Sequence, residues 1–356
     1  MLDPFLQAAA RFSLEVAPEQ RKPIALVGAG GIVEVAHLPA YRRAGLEVVG
    51  IYDLDQERSS ILAARHGIPR VYPTLEALLE DPYVAVVDIA VLPEAQPEIA
   101  LRALEAGKAV LCQKPLALNL EAAQAIAQRA KTLGLPVVVN QQLRYSESLT
   151  VARALVEQGA IGEPTFMRFE VDVLTDWTRW PWLAQSPQLE IRYHSIHYLD
   201  AVRALFGNPE QVFCMAARSL TQQVQGETRT ISSLIYPGTR RALVTANHEN
   251  PGGDPRAEFR IDGTGGAIRG TLGLMYDYPH GRLDTLELRS QHTGGWLPYP
   301  VSTRWIPDAF AGPMKALLTS LHSGSEAPSS ARDNLGTVRL LEALYQSMNL
   351  GQSVHL

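Results

Sequence analysis

IALVGAGGIVEVAH, Ile24 to His37, is the stretch on which the fold turns. Four aliphatic residues run straight into spaced glycines, and the residues after those glycines open a helix. A near-continuous Val/Ile/Leu run is what a strand covered on both faces requires. Gly28 and Gly30 take the first two positions of a GxGxxG/A turn, with Gly31 and Ile32 completing it. A tight turn, and close approach of a pyrophosphate to helix N-terminal amides, both call for residues without a side chain there. Val33 stands at the third position, where Gly or Ala is usual, so the motif alone is weak. Glycine-rich turns between strand and helix are common for steric reasons only.

The next strand strengthens it. LEVVGIYD ends in Asp53, close to the spacing at which a carboxylate accepts from both ribose hydroxyls. The same carboxylate repels a 2′-phosphate and no arginine follows at once, so NAD is expected in preference to NADP. The competing reading of Asp53 is a helix cap or turn residue.

Outward from this point short aliphatic runs alternate with amphipathic stretches of helix length. IALVG, LEVVGIYD, VAVVDIAV, AVLC and PVVVN read as buried parallel strands, with helical patterns such as EIALRALEAGK and LEAAQAIAQRAKTLG between them. That is a doubly wound α/β sheet, a Rossmann domain. Beyond about Arg144 the pattern changes. A helix, SLTVARALVEQG, leads into alternating TFMRFEVDV; after YLDAVRALFG come QVFCMAARS, RTISSLIYP, RALVTANHE, AEFRIDG and DTLELRS, separated by Gly/Pro/Asn punctuation. These predict a C-terminal α+β domain built on an open-faced, mainly antiparallel sheet. Two closing helices are expected, around PMKALLTSLHSG and from ARDNLGTVRLLEALYQSMNLG. The boundaries read as an N-terminal extension over 1–22, a dinucleotide-binding domain over 23–143 and a substrate and oligomerisation domain over 144–356, with the last helices free to pack back on the first domain.

Composition bounds the function. The chain has 356 residues, 37 acidic against 32 basic side chains and a formal net charge of −5. Binding nucleic acid needs a clustered Lys/Arg surplus that is not found, so no nucleic-acid partner is expected. No segment has the apolar length of a membrane span, and the opening 22 residues read as a short amphipathic extension rather than a signal peptide. Cys112 and Cys214 have neither CxxC spacing nor a disulfide framework and read as buried hydrophobes. A cytoplasmic protein is expected.

RYHSIHYLD, Arg192 to Asp200, spaces His194, His197 and Asp200 three residues apart. On a helix these fall on roughly one face, so metal binding, acid/base work and plain packing all remain open. No further ligand-type cluster accompanies them and no metal is expected.

ALEAGKAVLCQKPLALN resembles the AGK…EKP segment of the Gfo/Idh/MocA family of NAD(P)-dependent oxidoreductases, which includes glucose–fructose oxidoreductase and inositol dehydrogenase. The likeness spans nearly the whole chain: the GAGGI turn, Asp53, the QKP strand end, the helix HSIHYLDAVRALFG and the closing LLEALYQSMNLGQSVHL. It implies hydride transfer between nicotinamide and a hydroxyl or carbonyl of a sugar, sugar acid or cyclitol, and a homodimer or homotetramer packed through the sheet. Lys114 corresponds to the EKP lysine, near nicotinamide and the reacting hydroxyl, and His197 to the histidine of the family's DxGxHxxD helix, with Asp200 its last aspartate. An imidazole suits the base that accepts the hydroxyl proton, and an ammonium favours the developing alkoxide. Leu92, Gln113 and Lys114 join Gly28, Gly30, Gly31, Ile32 and Asp53 as expected cofactor contacts. Asp200 is expected to orient His197 or fix its helix, His194 to be a core, hydrogen-bonding or substrate residue, and His37 to be structural.

Three positions depart from the family: Gln113 for the EKP glutamate, Tyr193 for the first aspartate of DxGxHxxD, and Gln96 where a histidine often stands. Either Tyr193 shares proton work with Lys114, or a more positive pocket holds an anionic substrate through Arg192, Arg144 or Arg168. The second option is slightly favoured here. Trp177, Trp180 and Trp182 in TDWTRWPWLAQ offer indoles for stacking on sugar rings, Trp177 first among them. Two other functions fit the same resemblance: an NAD-dependent glycoside-cleaving enzyme with transient oxidation, and a non-catalytic NAD-sensing regulator.

Overall fold

The computed structural model describes residues 4–278 and 280–356. The chain divides into two compact units.

One unit joins Ser13–Gln142 to Ile306–Val338. Its sheet has five parallel strands in the order β2-β1-β3-β4-β5: β1 Ile24–Val27, β2 Val48–Tyr52, β3 Val86–Ile89, β4 Ala109–Cys112 and β5 Val137–Val139. All five are the aliphatic runs read from the sequence. Every residue of β1, β3, β4 and β5 is buried, as helices on both faces demand. Side chains such as Leu26 and Ile89, 0% exposed, contribute roughly 1.5–3 kcal/mol each through burial. The helices begin where a side chain accepts a free amide hydrogen: Asp55 caps Gln56–His66, Thr74 caps Leu75–Glu80 and Asn119 caps Leu120–Leu133. Two of them end on left-handed glycines, Gly67 and Gly134. The segment from Ile306 belongs to the same core: helix Ala311–Ser323 packs on β4 and β5, Ser330 bridges Val138, and Ala331 and Val338 join the apolar cluster.

The other unit comprises Leu143–Trp305 and Arg339–Leu356 together with the chain's first segment, up to Phe12. Its nine-stranded sheet runs β13-β12-β11-β10-β6-β9-β8-β7-β14. The strands are β6 Pro164–Asp172, β7 Gln211–Ala217, β8 Arg229–Ile235, β9 Arg241–Asn247, β10 Arg256–Gly263, β11 Gly266–Thr271, β12 Thr285–Ser290, β13 Leu297–Tyr299 and β14 Val354–His355. Neighbours are antiparallel except β6 and β9, which run parallel. Burial alternates along β8, β9 and β10, so one face is core and the other open. On the core side Phe169 stacks on Tyr198 of helix Ile196–Phe206 at 5.4 Å between ring centres. On the open side the register sets Arg168 opposite Arg260 and Met215 opposite Ile231. Strands β11, β13 and β14 were not read from the sequence.

Among the described residues no helix is long and apolar enough to cross a membrane. Cys112 and Cys214 are buried free thiols.

Candidate active site

Three glycines behave differently at the first strand-to-helix turn. Gly28 sits at φ 111, and a Cβ there would lie 2.3 Å from the Ala90 carbonyl oxygen, so packing between the ends of β1 and β3 excludes any side chain. Gly30 and Gly31 have nothing within 4 Å of a would-be Cβ. Packing does not require glycine at these two positions, and its absence of bulk leaves their amides open at a helix start, the cradle a pyrophosphate fits. Asp53 at the end of β2 is already oriented: Oδ2 accepts from the Ala29 amide at 2.6 Å and Oδ1 from the Asp55 amide at 2.8 Å. The cap of the following helix is Asp55. A carboxylate has about four acceptor positions, so Asp53 retains capacity for two ribose hydroxyls. These residues fit NAD. Leu92, beyond β3, is 50% exposed.

Val33, the residue that breaks the glycine pattern, begins a π-helical turn, Val33–His37, ahead of helix Leu38–Arg43. The turn buries His37 completely. Its Nδ1 lies 2.6 Å from Asp88 Oδ2 on β3, Tyr41 donates to the same oxygen at 2.7 Å, and the Phe310 ring sits 5.1 Å from the imidazole. On the opposite ring edge Gln113 Nε2 lies 2.7 Å from His37 Nε2, and Gln113 Oε1 accepts from the Lys114 amide at 3.1 Å. The side chain of Gln113, one of the expected cofactor contacts, is thus engaged by His37 and the Lys114 amide. Gln96 donates to the carbonyls of Gln113, Pro115 and Leu116 at 2.8, 2.9 and 3.0 Å. Lys114 stands between these anchored residues, half-buried, and desolvation lowers its ammonium to about 8.

In the second unit a further π-helical turn, Ile191–Ser195, precedes helix Ile196–Phe206. His197 and Asp200 share the α-helix, whereas His194 lies in the π turn before it, so the α-helical spacing that predicts a single stripe does not extend to His194. His194 meets Trp177 and Trp180 edge-on, 5.4 and 6.1 Å between centres, and His248 at 4.7 Å. His197, 8% exposed, meets Trp305 edge-on at 5.4 Å. Asp200, 1% exposed, forms a two-pronged pair with Arg144, whose Nη2 donates to Oδ1 at 2.7 Å, and lies 3.8 Å from Arg203. Of the two roles expected of Asp200, anchoring its helix is therefore the one these arginines serve. Arg144, expected as a substrate contact, is the residue that pairs with Asp200. Arg168 is exposed on the open sheet face, opposite Arg260. Arg192 hydrogen-bonds Gln188 and lies over the Tyr345 ring at 5.6 Å.

Tyr193 is also placed for packing. Its ring, 7% exposed, joins Trp177, Leu183, Leu189 and Val224 in an apolar cluster, with Trp182 edge-on at 5.2 Å. Trp177 donates its indole hydrogen to Glu249 at 2.8 Å. Among the described residues no group of three His, Cys, Asp or Glu side chains is arranged to hold a metal ion.

Sequence reasoning missed the buried carboxylate at the start of this helix. Glu190, 0% exposed, accepts from Ser195 and Thr230 at 2.6 Å each, with His248 Nε2 at 3.7 Å. Glu190 stands two residues before Arg192, where RYHSIHYLD begins, between apolar Leu189 and Ile191, a signal the sequence does carry. Its partners Thr230 and His248 lie far along the chain.

Residues 22–141 match the model of the oxidoreductase family with an NAD-binding Rossmann fold, and residues 149–269 match the GFO/IDH/MocA C-terminal domain. Over 93% of its length the chain is 28% identical to D-apiose dehydrogenase of Paraburkholderia graminis, covering 89% of that protein. It is 30% identical to trans-1,2-dihydrobenzene-1,2-diol dehydrogenase of Oryctolagus cuniculus over 59% of this chain and 63% of that one. The crystal structure of an oxidoreductase from Agrobacterium radiobacter in complex with NAD+, L-tartaric acid and magnesium superposes with a TM-score of 0.84 at 26% identity, covering 94% of this chain and 98% of that one.

Proposed function

From its membership of the Gfo/Idh/MocA family, NAD-binding oxidoreductases to which the chain belongs by both its domains, we propose that this protein is a dehydrogenase of a carbohydrate-type hydroxyl. The observation that carries the cofactor half of the reading is the open Gly30–Gly31 turn beside an oriented Asp53. NAD bound there supplies the acceptor of the hydride removed from the substrate carbon. The protein's own share is proton handling and positioning. His197 takes the hydroxyl proton as the base, and the Lys114 ammonium stabilises negative charge developing on the substrate oxygen. Trp177, Trp180 and His194 line the substrate region of their unit, and apolar indole faces beside an imidazole suit the mixed surface of a sugar or cyclitol ring. With Arg144 paired to Asp200, a neutral polyol or sugar is the better-supported substrate class, Arg192 being the remaining contact for an acidic one. The name D-apiose dehydrogenase, borne by a relative along almost the whole chain, supports the same class.

Absorbance of reduced nicotinamide tests this with a panel of neutral sugars, cyclitols and sugar acids. At least one neutral compound is expected to reduce NAD, and His197→Ala to lose about 10²–10⁴-fold in turnover. A parent protein that binds neither NAD nor NADP, or a His197→Ala variant that turns over unchanged, would overturn the assignment. The reading extends to a cytoplasmic homodimer or homotetramer. The Met215 and Ile231 side chains, 50% and 43% exposed on the open sheet face, support association, which light scattering tests against the 39.0 kDa of one chain.

A further inference from the structure

Asp88, His37 and Gln113 are drawn from positions far apart in sequence, yet they form one buried chain of hydrogen bonds that ends at the backbone of Lys114. The direction of each bond follows from the groups themselves. Asp88 is an acceptor when ionised, so the His37 nitrogen facing it, Nδ1, carries the ring hydrogen. Nε2 is then the acceptor, and it takes a hydrogen from the Gln113 amide. The amide oxygen, left facing the other way, accepts from the Lys114 N–H. One orientation of the amide and one tautomer of the ring satisfy all three contacts. A glutamate at 113 breaks this pattern: its oxygen meets the His37 Nε2 lone pair, so a proton must be added between them, and a carboxylate then adjoins the lysine.

We propose that Gln113 is a positioning residue for Lys114: anchored by the His37–Asp88 pair, its amide holds the lysine's backbone and fills the place beside it without charge. The inference rests on the reading of Lys114 as the group that stabilises the substrate oxygen. Gln96 supports the same segment from three carbonyls. Among the described residues, the titratable groups packed around the chain include Asp88 from β3, Tyr41 from the helix after the π turn and Cys112 from β4. Asn140 Nδ2 stands 3.4 Å from His37 Nε2 and the Phe310 ring closes the far side. Asp88 is the one carboxylate among these, and His37 and Gln113 stand between it and Lys114. Desolvation lowers the Lys114 ammonium to about 8, which sets an expected alkaline limit to turnover.

Pulsed acetylation with acetic anhydride across a pH series, read by mass spectrometry at Lys114 with exposed Lys22 as internal standard, measures that exchange in the full chain. The parent midpoint is expected near 8, and Gln113→Glu is expected to raise it by about one pH unit or more, since a nearby anion favours the ammonium. The alkaline limb of turnover should move with it. A natively folded Gln113→Glu protein with an unshifted midpoint overturns the proposal. Should that variant fail to fold, the parent decides alone: nitrogen chemical shifts are expected to place the His37 ring hydrogen on Nδ1, and a hydrogen on Nε2 overturns it. Lys114→Met separates the two readings. If it turns over like the parent while Gln113→Glu still shifts the midpoint, the catalytic role of the lysine falls and the positioning role of Gln113 stands.

Discussion

Each unit carries a histidine-bearing π turn and a buried aspartate, Asp88 in one and Asp200 in the other, and the two carboxylates have opposite fates. Asp88 is shared by an imidazole and a phenol, partners that can exist without charge. Asp200 is gripped by Arg144 and approached by Arg203, which are always charged. Burial is nearly the same, 0% and 1% exposed, so the partner decides the energetics. A buried carboxylate among neutral donors can be exchanged for an amide at modest cost. One that neutralises guanidinium cannot, because removing it strands the positive charge.

Denaturant unfolding would break this contrast most directly. Asp200→Ala is expected to cost about 3–5 kcal/mol, the range for removing one member of a buried pair. Asp88→Asn should cost about 1–3 kcal/mol, a lost charge-assisted hydrogen bond whose partner can remain neutral. Equal losses would dissolve the distinction. The smallest effect is expected at Asp284, held by Ser148 at 2.5 Å and the Gly273 amide at 2.8 Å, whose carboxyl is pushed up to about 6 by burial. Its folded form holds the proton more tightly than the unfolded chain does. The associated stability is therefore full below about 3.8 and is lost as pH rises through about 6. Asp284→Asn should flatten that slope and raise stability at pH 7 by about 1 kcal/mol. Thermal midpoints of parent and variant at pH 4 to 7 would show it, and parallel curves would place the strain elsewhere.

The five parallel strands were legible because a strand covered on both faces is written as an unbroken aliphatic run. In the other sheet, β6 to β10 and β12 showed through alternation. β11 did not, since GAIRGT is bracketed by glycines with little strand preference, and β13 and β14 are too short to carry a period. The glycine turn and Asp53 were visible because cofactor geometry fixes their spacing locally. The hidden features depended on meetings at long range. Arg144 and Asp200 are 56 residues apart, His37 and Gln113 76, so nothing local says that the arginine meets the aspartate or the amide the imidazole. Tyr193 is a related case: its position in the motif suggests chemistry, and the apolar cluster its ring joins is assembled from residues as distant as Trp177 and Val224.

The late return of Ile306–Val338 to the parallel sheet has a consequence for synthesis. A ribosome that has released the first 305 residues has delivered every strand of the nucleotide-binding layer but not the helix that covers β4 and β5, nor the ring of Phe310 against His37. That layer is begun first and finished almost last, so its exposed flank must be tolerated or shielded while β6 to β13 of the second sheet are being made.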